Sequence, residues 1–130
     1  MRDKWAGDRC SYCLCSQEYV YSTLHFEHII PVDKEGSNEE NNLCLSCTWC
    51  NLSKGVHVDG ADPETNACVR LFNPRIDVWS EHFIWGKDKV TLLGKTAIGR
   101  ATCIVLNMNR EIALKVRQNW VAAGWHPPDV

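Results

Sequence analysis

Six of the eight cysteines fall into two clusters, Cys10, Cys13 and Cys15 early in the chain and Cys44, Cys47 and Cys50 later. Cys10-Ser11-Tyr12-Cys13 and Cys47-Thr48-Trp49-Cys50 both have C-x-x-C spacing, and a tight turn of that length aims two thiolates at one metal. Four thiolates suit tetrahedral zinc, so a structural four-cysteine zinc site is expected. The register has competitors. Cys44 and Cys47 share the same spacing, and Cys15 sits close to Cys13. Cys44 lies between Leu43 and Leu45 like a strand residue, and Cys68 and Cys103 stand alone; buried apolar thiols are the expectation for these three.

The 33 residues between Cys13 and Cys47 exceed the loop of about 15–20 residues usual in a simple zinc ribbon, so another element must fold between the knuckles. Within it, Leu24-His25-Phe26-Glu27-His28-Ile29-Ile30-Pro31 places an acid directly before a histidine at the end of an apolar stretch. Asn41-Asn42-Leu43 follows, and then Cys47-Thr48-Trp49-Cys50-Asn51-Leu52-Ser53-Lys54-Gly55.

This string resembles the HNH endonuclease family, whose pattern runs C-x-x-C, acid-His-Ile-x-Pro, a polar loop, Asn-Leu, and C-x-x-C-Asn-x-x-Lys-Gly. The likeness covers Cys10 to Gly55 and favours Cys47 and Cys50 as the second zinc pair. Arg70-Leu71-Phe72-Asn73-Pro74-Arg75, Trp79-Ser80-Glu81-His82-Phe83 and Gly99-Arg100-Ala101-Thr102 also look like the tail of one bacterial HNH subgroup. The resemblance implies a ββα-metal fold holding one divalent cation against a scissile phosphate. It implies His28 as the general base, Glu27 and Asn51 as cation ligands, Asn42 as the residue that orients the loop and the histidine ring, and Lys54 as a phosphate contact.

The residue types agree with that chemistry. Phosphodiester hydrolysis needs a proton acceptor for the attacking water, and an imidazole with an unperturbed pKa of about 6.5 is matched to neutral pH. It also needs positive charge near the leaving oxygen, supplied by a hard cation (Mg2+, Mn2+ or Ni2+) on oxygen ligands such as Glu and Asn, whereas soft thiolates hold zinc. Two metals in two sites are therefore expected. Glu27 stands where the family more often has Asp, one methylene longer. Strict strand alternation would send Glu27 and His28 to opposite faces, so the strand must end or bulge there. His25 shares the face of Glu27 and is expected to be structural or adjacent to phosphate rather than a ligand.

The elements that must position these residues follow from apolar patterning. Tyr19 to Ile30 reads as a strand, Asp33 to Asn42 as a loop, Leu43 to Ser46 as a second strand, and a short helix runs from Thr48 to about Lys54-Gly55. Val56 to Asn66, with its Gly, Asp and Pro, reads as a linker. Phe83-Ile84-Trp85 and Val90 to Leu93 form a hairpin across Gly86 to Lys89. Thr96 caps a helix with Ile98, Ala101, Val105 and Met108 on one face, and a last helix spans about Asn109 to Ala123 before Gly124. The expected architecture is α+β: residues 1–57 form a ββα-metal module stapled by zinc, and 58–130 form a hairpin and two helices packed on it as a single compact domain. His57, His82 and His126 are expected to be surface or hydrogen-bonded, and Trp49, Trp79, Trp85 and Trp120 to be core.

With 130 residues, 45% of them apolar, the chain suits one ordinary domain. It has no apolar run of roughly eighteen residues that could cross a membrane. The charged opening Met1 to Trp5 leaves no secretory signal, so a cytoplasmic location is expected. A net charge of −2 gives no basic footprint for nucleic acid. Met1 to His57 carries five basic and eight acidic residues, whereas Lys95 to Trp120 carries five basic against one acidic. Arg100, Arg110 and Lys115 on the last helices are thus the expected DNA contacts beside Lys54. Weak DNA binding fits a loose nickase, a homodimer or a nuclease recruited by another protein. The competing classes are a non-catalytic zinc-stabilised nucleic-acid-binding module and a thiol redox or zinc-storage protein.

Overall fold

A computed structural model describes residues 8–130, so the first seven residues of the expected 1–57 module lie outside the described residues. The fold is α+β, built of three separate two-stranded antiparallel sheets and short helices. The chain divides into two compact units, one reaching Val58 and including Asn73–Asp77, the other formed by Asp59–Phe72 and Val78–Val130.

The first unit begins with a knuckle. Leu14 adopts a left-handed conformation (φ 65°), and the chain folds back so that the Cys10 amide donates to the Cys15 carbonyl at 2.9 Å. The Ser11 amide ties this knuckle to the Leu45 carbonyl at 2.8 Å. Strand β1 (His25–His28) pairs with β2 (Leu43–Ser46), with Glu27 opposite Cys44 and His28 opposite Leu43. The predicted strand over 19–30 is thus much shorter. Gln17 is the reason: its side-chain amide donates to the carbonyls of Val20 and Ser22 and its oxygen accepts the Leu24 amide at 2.8 Å, which coils the preceding residues into turns. Helix α1 (Thr48–Lys54) is capped by the Cys47 sulfur, which accepts the Cys50 amide at 3.4 Å, and ends at Gly55 in positive φ.

In the second unit the expected linker contains a strand. β3 (Asp59–Ala61) pairs with β4 (Cys68–Arg70), and the connecting turn is organised by Asp62, whose carboxylate accepts from the Glu64 amide and the Thr65 hydroxyl. Such Asp-mediated turns replace backbone partners with a side chain and leave little apolar signature. Cys68 lies exposed on β4, against the expectation of burial.

A one-turn helix α2 (Trp79–His82) leads into β5 (Phe83–Trp85), which pairs with β6 (Leu92–Gly94). The hairpin begins two residues later than predicted on its second strand because Asp88 captures the amides of Val90 and Thr91 and the Thr91 hydroxyl in the turn. Helix α3 (Ala97–Val105) has the expected Thr96 cap, its hydroxyl accepting the Gly99 amide at 3.0 Å, but stops before Met108. Helix α4 (Glu111–Ala122) closes the unit, with Gly124 at φ 80° just beyond.

Phe72, Phe83, Leu92, Ala101, Leu106 and Met108 are almost fully buried here. The tryptophans are less buried than expected: Trp79, Trp85 and Trp120 are half-buried and Trp49 is exposed. No helix among the described residues is long and apolar enough to cross a membrane.

Candidate functional site

The sulfurs of Cys10, Cys13, Cys47 and Cys50 all lie within 4.8 Å of one another. Cys13 and Cys47 supply one gap, 3.8 Å; a tetrahedral ion with Zn–S bonds of about 2.3 Å separates its sulfurs by about 3.8 Å. The donor set is all thiol and mostly buried, so it fits a zinc ion. Packing settles the register that spacing left open. Cys44 points instead at the Tyr12 hydroxyl, 3.7 Å away, and burial pushes its thiol up to about 12, so it is an inert strand residue. Cys103 likewise is buried, its thiol pushed up to about 12.

Strand β1 runs in register without a bulge and ends at His28. Alternation therefore sends His25 and Glu27 to one face and Phe26 and His28 to the other. Glu27 is buried at 7% exposure, and its Oε1 has no hydrogen-bond partner among the described residues. Burial pushes this carboxyl up to about 7, against the lowering influence of the Lys54 charge and a hydrogen bond with Ser46. An orphaned carboxylate oxygen beside α1 fits an oxygen ligand for a hard cation.

His28 is half-buried, and its Nε2 sits 2.7 Å from Asn38 Oδ1. A carbonyl oxygen there accepts a hydrogen bond from Nε2–H, which favours the tautomer with the lone pair on Nδ1, the one a base at Nδ1 requires. Of the two roles implied for Asn42, orienting the loop and the ring, its hydrogen bonds serve the loop. Its Oδ1 accepts the Ile30 amide at 2.9 Å, and its Nδ2 donates to the carbonyls of Ile30 at 2.9 Å and Ser37 at 2.8 Å. Asn42 is therefore a positioning residue for the segment that carries Asn38. Asn51 lies half-buried on α1, immediately after Cys50. His25 is exposed, with Nε2 3.2 Å from the Thr48 hydroxyl at the start of α1.

The expected phosphate contacts fare differently. Lys54 is 1% exposed; its Nζ donates to the carbonyls of Ile29 at 2.7 Å and His28 at 3.4 Å, and burial lowers its pKa. It staples the end of β1 to α1 and offers no face to a phosphate. In the second unit Arg100 is held by both oxygens of the buried Asp62, at 2.8 and 2.9 Å, and by Glu64 at 3.3 Å. Arg110 is half-buried and donates to the Asn107 carbonyl at 3.2 Å; Lys115 is exposed. Arg117, counted with the basic helices from sequence, is buried, donating to the carbonyls of Val90 and Met108 at 2.8 Å each and lying 5.2 Å from the centre of the Trp85 ring.

Sequence reasoning missed Asn38, Ser46 and Tyr12. Asn38 lay within a stretch marked only as polar, and its partnership with His28 depends on where the loop returns. Ser46, opposite His25 in the sheet, gave no signal beyond strand membership. Among the described residues, the cysteine quartet is the one place where three or more His, Cys, Asp or Glu ligand atoms converge.

Residues 10–57 match the family described as HNH endonuclease. The chain is also similar to the Septu protein PtuB of Bacillus thuringiensis, 30% identical over 107 residues, which are 81% of this chain and 38% of that relative. The chain thus spans little more than a third of that relative's length. No solved structure matches it.

Proposed function

Starting from the HNH endonuclease domain over residues 10–57, we propose that the chain is a metal-dependent DNA endonuclease that hydrolyses phosphodiester bonds, with His28 as the general base. The observation that carries this reading is the unpartnered Oε1 of buried Glu27, one residue before a histidine whose Nε2 proton is already engaged. The two residues adjoin where β1 ends, and an acceptor left open there supports a cation ligand next to a base.

In this reading Glu27 and Asn51 hold the divalent cation, Mg2+, Mn2+ or Ni2+. When bound, it supplies positive charge that lowers the barrier at the scissile phosphate. His28 Nδ1 takes the proton of the attacking water while Asn38 keeps the ring in the basic tautomer. Asn42 keeps the Ile30 and Ser37 ends of the loop together, so Asn38 stays in reach. Lys54 fixes the turn after His28 through the Ile29 carbonyl. Zinc on Cys10, Cys13, Cys47 and Cys50 is structural, stapling a hairpin and a single helix too small to hold themselves together.

The first module is acidic in balance, and the engagement of Arg100 and Arg117 by protein partners removes two of the cations counted on the basic helices. Low intrinsic DNA affinity is the expectation, with the exposed Lys115 as one contact. That suits a nuclease in the cytoplasm that nicks loosely, pairs as a homodimer, or is brought to DNA by a protein partner. The test is supercoiled-plasmid cleavage by zinc-loaded protein with each cation, beside His28→Ala and an EDTA control. Cleavage that needs the cation and falls by about 10²–10⁴-fold in His28→Ala is expected. Equal cutting by both proteins, or DNA binding without cutting under any cation, overturns the enzyme reading in favour of a zinc-stabilised nucleic-acid-binding module.

A further inference from the structure

The loop that serves His28 is held by two of its own side chains and also by a residue far along the chain. Asn38 meets the His28 ring at 2.7 Å, and Asn42 ties the Ile30 and Ser37 ends together. Glu40 stands midway between these two asparagines, at the start of the single 3-10 turn Glu40–Asn42. Its carboxylate faces the Arg75 guanidinium, with Oε1 3.6 Å from Nη2. The Asn42 carbonyl accepts the Ile29 amide at 2.8 Å, which joins this turn to the residue after His28.

Arg75 lies outside residues 10–57, which match the family. Even so, Asn73–Asp77 belongs to the first compact unit, whereas the residues on both sides of it, Asp59–Phe72 and Val78–Val130, form the second. The segment is a turn closed by its own end residues. The Asn73 amide donates to the Asp77 carboxylate at 2.8 Å, the Asn73 side-chain oxygen accepts the Arg75 amide at 2.9 Å, and the Asp77 amide donates to the Asn73 carbonyl at 2.8 Å. Pro74 fixes one more backbone dihedral. Arg75 is thus presented from a backbone already in place, so holding Glu40 costs it only side-chain freedom.

We propose that Arg75 is a positioning residue for hydrolysis: through Glu40 it fixes the turn between Asn38 and Asn42, and so holds the His28 ring where the reaction needs it. The inference rests on the nuclease reading above for its chemistry. The ion pair leaves 23% and 46% of its two side chains open to solvent, so it adds little to overall stability. Its effect falls on placement, to which catalysis is far more sensitive.

The experiment compares the zinc-loaded full chain with Arg75→Glu, Glu40→Arg and the double reversal, by plasmid cleavage resolved into kcat and KM. Each single reversal sets like charges against each other. kcat should then fall about 10-fold at unchanged KM, within the roughly 10²-fold that a misplacement of about 1 Å can cost, and the double reversal should restore it. A double reversal as slow as the single ones overturns the proposal. So does a KM that rises with Arg75→Glu alone, which would make Arg75 a phosphate contact.

Arg75→Gln removes the charge without repulsion and covers the case in which a reversal lowers bound zinc and impairs folding. It should cost kcat no more than about 5-fold, the equivalent of about 1 kcal/mol at the top of the range for exposed ion pairs. The ring nitrogen resonances of His28, read at one fixed pH, carry the test apart from turnover: they should move in Arg75→Gln and return in the double reversal. Resonances identical in wild type and Arg75→Gln overturn the positioning role whatever the cutting. A wild type that cuts under no cation, while those resonances do move, overturns the nuclease reading and leaves the link from Arg75 to the ring standing.

Discussion

Lys54→Met separates the two roles this lysine has been given. The pattern Asn-x-x-Lys suggests a phosphate contact, whose loss would weaken DNA binding and leave the fold alone. The structure buries the side chain at 1% exposure, with Nζ 2.7 Å from the Ile29 carbonyl and its charge acting on Glu27. Methionine keeps most of the apolar stem, so the cavity contribution is small. What is lost is a charged hydrogen bond worth about 1.5–3 kcal/mol, with a buried carbonyl left unsatisfied at about 1–3 kcal/mol. Removing the cation from beside a buried carboxyl adds to this, though Glu27 relieves part of it by taking up a proton. The expected loss is about 3–5 kcal/mol, the range for breaking a buried charged pair, in a domain whose total stability is about 5–15 kcal/mol. Urea unfolding of zinc-loaded protein measures it, with DNA affinity read at a concentration where the variant is folded. A loss below about 1 kcal/mol accompanied by a clear drop in DNA affinity, against the charged hydrogen-bond values above, would refute the structural role.

Other outcomes follow from named contacts. Asn38→Ala removes the acceptor at His28 Nε2, so cleavage should fall while bound zinc stays at the wild-type value; undiminished cleavage would show that the ring needs no such partner. Arg117→Met leaves the carbonyls of Val90 and Met108 without their donor and should cost about 3 kcal/mol in thermal or chemical unfolding, while zinc content stays at the wild-type value. The carboxyl of Asp62 is held well below the usual range by Arg100, the amide of Glu64 and the hydroxyl of Thr65. A depressed folded pKa means that its contribution is full above the unfolded value of about 3.9 and is lost as pH falls through the folded one. Asp62→Asn should therefore lower stability at neutral pH and flatten its decline in acid; equal acid slopes for the two proteins would remove Asp62 as a source.

The metal knuckles were legible because thiolate spacing encodes geometry locally: two residues between cysteines form one turn, wherever the turn is placed. The Glu27-His28 pair at a strand end, strand β2 over Leu43–Ser46 and helix α1 ending at Gly55 were legible for the same reason, since apolar patterning and caps act over a few residues. Other features depended on single polar side chains that leave no apolar pattern to read. The Gln17 side chain coils the segment before β1, Asp62 builds a turn where composition read a linker, and Asp88 lengthens the hairpin connection; each places a polar side chain in the job of a backbone partner.

Charge was the least readable property. Lys54, Arg100 and Arg117 look alike in a count of basic residues, yet one closes a strand end, one is clamped by a buried carboxylate, and one caps two carbonyls in a core. The sequence by itself determined which atoms are available to bind soft and hard metals and in what order they come. Only the tertiary structure decided which of Cys44, Cys47 and Cys15 joins the quartet, that Asn38 rather than Asn42 meets the histidine, and which cations remain for a phosphate. Ligand type is a property of single residues, whereas access and partnership are properties of the packing that surrounds them.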